Sequence, residues 1–547
     1  MATSDPGPRT EIPHSTHPAP AGSKALRPTN PAAQIQLTLG VKRKKDLPDL
    51  SAIEMKQPGQ RTYMTREVLA RDYGSDEAAL ARIRAFAQAH NMTILKEEPG
   101  AARLTLTGSV EDVTAAFGVK LLDYDHPQMG RFHARVGSIS VPTTIQPGDI
   151  TGVFGFNNNR AIRRAPRKNP QQANARSKAS SAFSPDQLSK IYDFPDADLS
   201  QQTIGLLEFG GGVNPADVTA YFQQMGVAAP AITIVSVDGA STDPKADPES
   251  TMEVMLDVEV AGAMAPGAGL VVYFSSFDEK GVIDALAAVV ADSKNNPGVV
   301  SVSWGWDENQ PFNNQTLWSP TAMDHVNHSL LAAAQLGITI CVSTGDDGSE
   351  AQIPDGHAHV NFPATSPYVL AVGGTTLHVH NAAGGATVIQ ERVWNNGPEG
   401  GGTGGGVSDF TPMPTWQEGV VPTSINPGHF AGRAIPDVAA NADPSTGYKV
   451  LINGQSTVVG GTSASAPLWA CLLTRMNASL GVRVGNFNAL LYAKYGPAGV
   501  LRDITVGNND TRGLLSGNFP ARPGWDAATG WGVPVGSKLL DALKAPS

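Results

Sequence analysis

The chain has 547 residues, 41% of them hydrophobic, which excludes a disordered protein and exceeds what one core usually organises, so two domains are expected. It has no run of 18 or more apolar residues, so no membrane partner is expected, and its first residues lack the apolar stretch of a secretory signal. The net charge of −10 hides a split: residues 1–178 carry 25 basic and 16 acidic side chains, the remainder 15 and 34. The two parts are electrostatic complements, expected to touch and to loosen as carboxylates discharge near pH 4. No nucleic-acid partner is expected, and the chain is expected to be a monomer.

In chain order, residues 1–32 are rich in Pro, Ser, Thr and Ala without periodicity and read as a flexible leader. Residues 33–160 give a strand at 35–41, a helix at 76–90, strands at 92–95 and 102–107, a helix at 110–117, and strands at 120–124 and 132–141. That order predicts a small α+β domain on a ferredoxin-like antiparallel sheet. Residues 161–178 are basic, proline-bearing and apolar-poor, hence a linker and a cleavage zone. Residues 179–547 alternate apolar strands (203–207, 232–237, 270–274, 299–302, 338–342, 369–372) with helices (214–225, 253–264, 281–292, 322–336). Near-continuous apolar strands of this kind predict an α/β fold, a parallel sheet covered by helices on both faces, with functional residues just after the strands. Cys341 and Cys471 stand in apolar strings and read as buried free thiols, with no disulfide framework or zinc pattern.

The most specific string is Gly460-Gly461-Thr462-Ser463-Ala464-Ser465-Ala466-Pro467, after a strand at 456–459 and before an apolar helix at 468–476. A serine at a glycine-rich turn into a helix exposes its hydroxyl beside a free N–H, as an acyl-transfer nucleophile requires. Glu253 and Asp257, four residues apart, share one face of a helix that is apolar nearly all round, so the pair is expected to titrate as a unit with one raised pKa. Glu259 faces elsewhere and reads as structural. Asp346 follows the strand at 338–342 and, if protonated, can donate to an oxyanion; Asp347-Gly348 reads as a turn. Asp510 reads as a turn residue. His325, His328, His357, His359, His378 and His380 read as surface or loop residues.

The serine string resembles the nucleophile motif of the subtilisin clan, but no histidine motif accompanies it; the expected place holds Glu253 and Asp257. Together with Leu207-Glu208-Phe209-Gly210, Val302-Ser303-Trp304-Gly305, Gly345-Asp346 and Gly404-Gly405-Gly406, it resembles the sedolisins, or serine-carboxyl peptidases, in their kumamolisin-like branch with a pro-kumamolisin activation domain. The resemblance implies a subtilisin-like fold and an acid-acting, secreted endopeptidase made as a zymogen, with polypeptide substrates and its own prodomain as inhibitor. It implies Ser463 as nucleophile, Glu253 as general base then acid, Asp257 orienting it, and Asp346 in the oxyanion hole. Glu208 and Trp304 would extend the carboxylate network, and Ser303 and Gly305 would offer backbone groups to the substrate.

The resemblance also implies one Ca2+ held by Asp503, Ile504, Arg522, Gly524 and Asp526. Asn361 stands where kumamolisin has an aspartate in the S1 region, so a preference for basic P1 residues does not carry over. Three alternatives differ in what they require. A histidine-dependent protease needs a histidine in place of Glu253 or Asp257, a carboxylate-pair glycosidase would tolerate Ser463→Ala, and a non-catalytic peptide-binding pseudopeptidase would have its acids misplaced.

Overall fold

Residues 34–41 alternate Gln34 and Gln36 with Ile35 and Leu37, and a period of two buries one face of a strand. The structure is a computed structural model that describes residues 8–127, 129–164, 167–168, 182–308, 318–351, 353–382 and 385–545. In it β1 (Gln34–Val41) is followed by α1 (Glu77–Ala89), β2 (Thr93–Glu98), β3 (Arg103–Ser109), α2 (Val110–Phe117) and β4 (Ile150–Phe154). The four strands form one antiparallel sheet in the order β2-β3-β1-β4, the ferredoxin-like arrangement. Caps fix both helices: Asp76 accepts the Ala79 N–H, Ser109 accepts the Asp112 N–H, and Gly118 ends α2 at φ +64°.

Two expectations for this part are corrected. The segment expected as a leader belongs to the domain from Arg9 onward: Arg9–Glu11 pairs with Ser140–Pro142, and Lys24–Pro28 with Lys120–His126. Such strands escape a pattern search because edge pairing needs no buried face; all five residues of Lys24–Pro28 are exposed. The one strand expected at 132–141 is two, Gly130–Val136 and Ser140–Pro142, separated by Gly137 at φ +86°. The helix Arg66–Tyr73 and β4 were not anticipated.

The second part follows the predicted alternation: β5 (Thr203–Phe209), β6 (Ile232–Ser236), α3 (Pro248–Met264), β7 (Gly269–Ser275), α4 (Glu279–Ala291), β8 (Val299–Val302), β9 (Trp304–Asp307), α5 (Pro320–Gln335), β10 (Thr339–Ser343) and β11 (Leu370–Ala382). Its main sheet runs β6-β7-β5-β8-β10-β11, all parallel. At β11, β12 (Gly385–Val393) adds antiparallel and β13 (Val438–Asn441) parallel. Leu206, Val272 and Cys341 pack with α3 on one face, and Leu207, Val271 and Val342 with α4 and α5 on the other. Both cysteines are buried and free, and burial raises both thiols.

The two parts touch, though not through a general meeting of opposite charges. Arg61 donates to the carbonyls of Val484 and Asn486 at 2.9 and 2.5 Å, and Arg66 to that of Val290 at 2.7 Å. A buried ion pair crosses the interface, Arg103 to Asp284, supported by Thr38 at 3.0 Å and Lys280 at 2.7 Å. Burial raises Asp284 to about 7 against the pull of both cations. The docked form therefore holds this proton more tightly than a free carboxyl would, so this pair by itself is not loosened by acid. His325, expected at the surface or in a loop, lies on α5 facing the prodomain. Its ring sits over the paired Gly40 and Gly152 of β1 and β4, edge-on to Phe154 at 5.0 Å.

Candidate active site

The strand β14 (Gln455–Gly460) runs into the helix α6 (Thr462–Leu480) through Gly461, whose φ of +126° favours glycine. The turn places Thr462 and Ser463 in the first turn of a buried helix, where N–H groups lack intrahelical partners and the dipole is positive. The Ser463 hydroxyl donates to the Ser303 carbonyl at 3.4 Å. Pro467, four residues on, has no N–H, so the helix makes no claim on the Ser463 carbonyl; the Ser303 hydroxyl donates to that carbonyl at 3.1 Å instead. The proline of the motif thus ties the serine's backbone to Ser303, in the turn between β8 and β9.

Ser303 leads to the carboxylates. Its hydroxyl lies 3.0 and 2.8 Å from the two carboxyl oxygens of Asp257 and 3.1 Å from the Ser463 carbonyl. One hydroxyl proton cannot serve three acceptors. A protonated Asp257 would relieve this competition by donating to Ser303 Oγ while Ser303 donates to Ser463; an ionised one takes the Ser303 proton. Asp257 is fully buried in α3, and burial raises its pKa against the hydrogen bonds that Ser303 and Glu208 offer to its ionised form. Glu208, near the end of β5, bonds Asp257 and is raised well above the carboxylate range by burial, then by Asp257 and Glu253. Trp304 Nε1 donates to Glu208 at 3.0 Å, with Phe209 and Phe277 edge-on to the indole. Glu253, one turn before Asp257, is fully buried in the same helix. Glu259 is buried apart from this group, accepting the Leu451 N–H at 2.8 Å.

Asp346 stands against the start of α6. Its Oδ1 accepts both the N–H and the hydroxyl of Thr462 at 2.8 Å, and Thr462 Oγ1 accepts the Gly345 N–H at 3.1 Å. Asn361 pairs with Asp307 of β9 and packs under this turn; a Cβ on Gly345 would lie 2.3 Å from its amide nitrogen. The structure therefore gathers Glu208, Glu253, Asp257, Ser303, Trp304, Asp346 and Ser463. Sequence reading overlooked Thr462, the hydroxyl of Ser303 and the part played by Pro467, although the first and last stood inside the quoted motif.

The linker approaches the same place. Arg163–Arg164 pairs antiparallel with β9 at Gly305 and Trp304, and Arg167–Lys168 with β14 at Gly460 and Val459. Both edges beside the serine thus carry added strands, as in peptide recognition by β-augmentation. Of the expected cleavage zone at 161–178, residues 165–166 and 169–178 lie outside the described residues.

Near the C-terminus, Asp503 Oδ2 accepts the Gly524 N–H at 2.8 Å, and the buried Asp526 accepts those of Ala528 and Thr529 at 3.0 and 2.8 Å and of Arg522 at 3.2 Å. No cluster of three or more His, Cys, Asp or Glu able to hold a metal occurs among the described residues. The carbonyls of Ile504, Arg522 and Gly524, which the resemblance implies as further ligands, would make with these two carboxylates an oxygen-only donor set, suited to a hard cation such as Ca2+ and to no soft metal.

Comparison with known proteins gives the family. Residues 21–159 match the pro-kumamolisin activation domain, and residues 243–491 match the subtilase family. The chain is 43% identical over 494 residues to kumamolisin from Bacillus sp. (strain MN-32), covering 89% of this chain and 87% of that one. It is 28% identical over 542 residues to sedolisin from Pseudomonas sp. (strain 101), covering 94% and 87%. The solved structure of Pseudomonas sedolisin, a serine-carboxyl proteinase complexed with two molecules of pseudo-iodotyrostatin, superposes with a TM-score of 0.58 at 27% identity, covering 67% of this chain and 99% of that one. With its activation domain in front of a buried serine and a carboxylate network, the chain belongs to the sedolisin family of serine-carboxyl peptidases, in its kumamolisin branch.

Proposed function

We propose that the chain is the zymogen of an acid-acting endopeptidase that removes its own N-terminal part. Ser463 attacks the peptide carbonyl, and Glu253 takes the serine proton and returns it to the leaving amine. Asp257 orients Glu253, while Asp346, protonated, joins the N–H groups at the start of α6 in stabilising the oxyanion. The observation that most supports this reading is the single proton of Ser303 set among three acceptors, which favours a neutral Asp257 beside the nucleophile. The strands added at Gly305 and Gly460 support polypeptide substrates, with the linker as the first of them.

The further assignments are one Ca2+ at Asp503 and Asp526 as a stabilising ion, an extracellular acidic setting, and a monomer. Asn361 supplies no charge for a basic P1 side chain. The test holds the purified 57.1 kDa chain at about pH 4 and follows loss of the first ~178 residues, with Ser463→Ala in parallel. Conversion of the variant, or none of the parent between about pH 3 and 5, refutes the proposal.

A further inference from the structure

The turn that carries Asp346 is secured at its far end by a second carboxyl pair. Glu350, four residues after Asp346, is fully buried; its Oε1 accepts the Arg512 N–H at 3.1 Å and its Oε2 the Thr511 N–H at 3.3 Å. Its carboxyl also hydrogen-bonds that of Asp510. The Asp510 oxygens already accept N–H groups from Leu514, Leu515 and Gly517 at 3.1, 3.2 and 2.7 Å. Asp510 accepts three backbone N–H groups and Glu350 two, so Asp510 is the better-held carboxylate and the proton between the two belongs to Glu350.

Around this pair the turn lies on the 507–519 loop. The Ser349 N–H donates to the Asn509 carbonyl at 2.9 Å, the Ser349 hydroxyl to that of Asn518 at 2.9 Å, and Thr511 Oγ1 to that of Asp347 at 3.1 Å. Gly348, at φ +75°, leaves no room for a side chain, since a Cβ would lie 2.5 Å from the Asn509 oxygen. At the other end, Gly402 donates to the Asp346 carbonyl and receives the Gly348 N–H, both at 3.0 Å.

We propose that Glu350 is a positioning residue for the oxyanion turn: bonded to Asp510, Thr511 and Arg512, it holds residues 345–350 on the 507–519 loop and so fixes Asp346 against Thr462 and Ser463. The inference rests on the oxyanion role given to Asp346. The hold needs one proton, because two ionised carboxyls in contact repel. Burial, then Asp510, raises Glu350, so the proton is retained in acid and lost as pH rises. The other charged groups facing the pair are Asp346 and Asp347 on the same turn, Arg512 on the facing loop, and His359 with Asp355 on the segment whose N–H bonds the Ser349 carbonyl.

The experiment compares processed parent, Glu350→Gln, Glu350→Ala and Asp346→Ala on an internally quenched peptide from acid to neutral pH. Glu350→Ala should lose about tenfold to a hundredfold in kcat in acid with KM nearly unchanged, the cost of a misplaced catalytic group. Glu350→Gln, which donates to Asp510 without titrating, should keep kcat in acid and carry the alkaline fall in kcat to higher pH. Parent-like kcat in Glu350→Ala with an inactive Asp346→Ala overturns this inference alone. A fully active Asp346→Ala overturns the oxyanion role beneath it. If Glu350→Ala does not fold, an unshifted pH profile in Glu350→Gln is sufficient to overturn the proposal.

Discussion

Replacing Glu259 by glutamine should make the protein more stable at neutral pH and leave its stability in acid unchanged. Glu259 is fully buried on α3, one oxygen accepts the Leu451 N–H at 2.8 Å, and the other has no hydrogen-bond partner among the described residues. Burial raises its pKa from 4.5 to about 9, the Leu451 bond opposing and Asp217 adding to the rise. A carboxyl raised on folding stabilises below the unfolded value, and that contribution is lost as pH climbs toward the folded one. Between pH 4.5 and 7 the folded state keeps a proton that the unfolded chain gives up, which costs about 1.4 kcal/mol per pH unit, or about 3 kcal/mol at pH 7. The figure depends little on the folded value, provided that value lies above 7. The amide introduced by Glu259→Gln can still accept from Leu451 and carries no titrating proton. In the full chain with Ser463→Ala, which prevents self-digestion, thermal melting at about pH 4 should agree with and without Glu259→Gln. At about pH 7 the glutamine variant should melt on the order of 5 °C higher. Parallel melting curves across this range would show that Glu259 is ionised or solvated in the folded protein, and the reasoning would fail.

Other predictions concern the interface, the site and the ion. Burial, then His328 and Arg43, lowers His325 to about 4 while a bond to the Thr151 backbone pulls it up. Docking is thus fully favourable above about pH 6.5 and weakens as pH falls toward 4. The ring borders a cavity of about 210 Å³, so solvent reduces the effect to about 1–2 kcal/mol. In the Ser463→Ala chain, His325→Phe should preserve hydrogen-exchange protection of residues 150–154 at about pH 4 roughly tenfold better than the parent; equal protection contradicts the assignment. Ser303→Ala breaks the path from Asp257 to the Ser463 carbonyl and should lower kcat about tenfold to a hundredfold with a small change in KM, and kcat within twofold of the parent would rule that path out. Asp503→Ala should abolish any gain in melting temperature from calcium, a gain worth about 2.7 kcal/mol at a hundredfold excess over Kd; identical calcium responses in parent and variant would refute the site.

Much of the molecule was legible beforehand because its signals are local. The apolar strands at 203–207 and 270–274 can bury both faces only in a covered parallel sheet, and they do so as β5 and β7. The Gly461-Thr462-Ser463 turn marks its own conformation, and Glu253 with Asp257 on an apolar helix marks a functional reason for burial. The edge strands at 9–11 and 24–28 were not legible, because their stability comes from partners 94 to 133 residues away and leaves no alternation. The contact between the two parts was expected but its kind was not legible, for a related reason: net charge counts side chains, whereas Arg61 and Arg66 meet carbonyl oxygens, which composition cannot reveal.

The sequence alone determined the chemistry available: a serine in a helix-opening turn, two carboxyls one helical turn apart, a third after a strand, and no histidine motif to replace them. Spacing along one chain sets these, since turns and helix faces repeat every few residues. Only the tertiary structure decided which of these residues meet and what each one hydrogen-bonds. Ser303 lies between Asp257 and Ser463, 46 and 160 residues away, and its hydroxyl has a single proton to offer. Whether a buried carboxyl is neutral depends on what surrounds it in three dimensions, because desolvation and hydrogen bonding act through space and not along the chain.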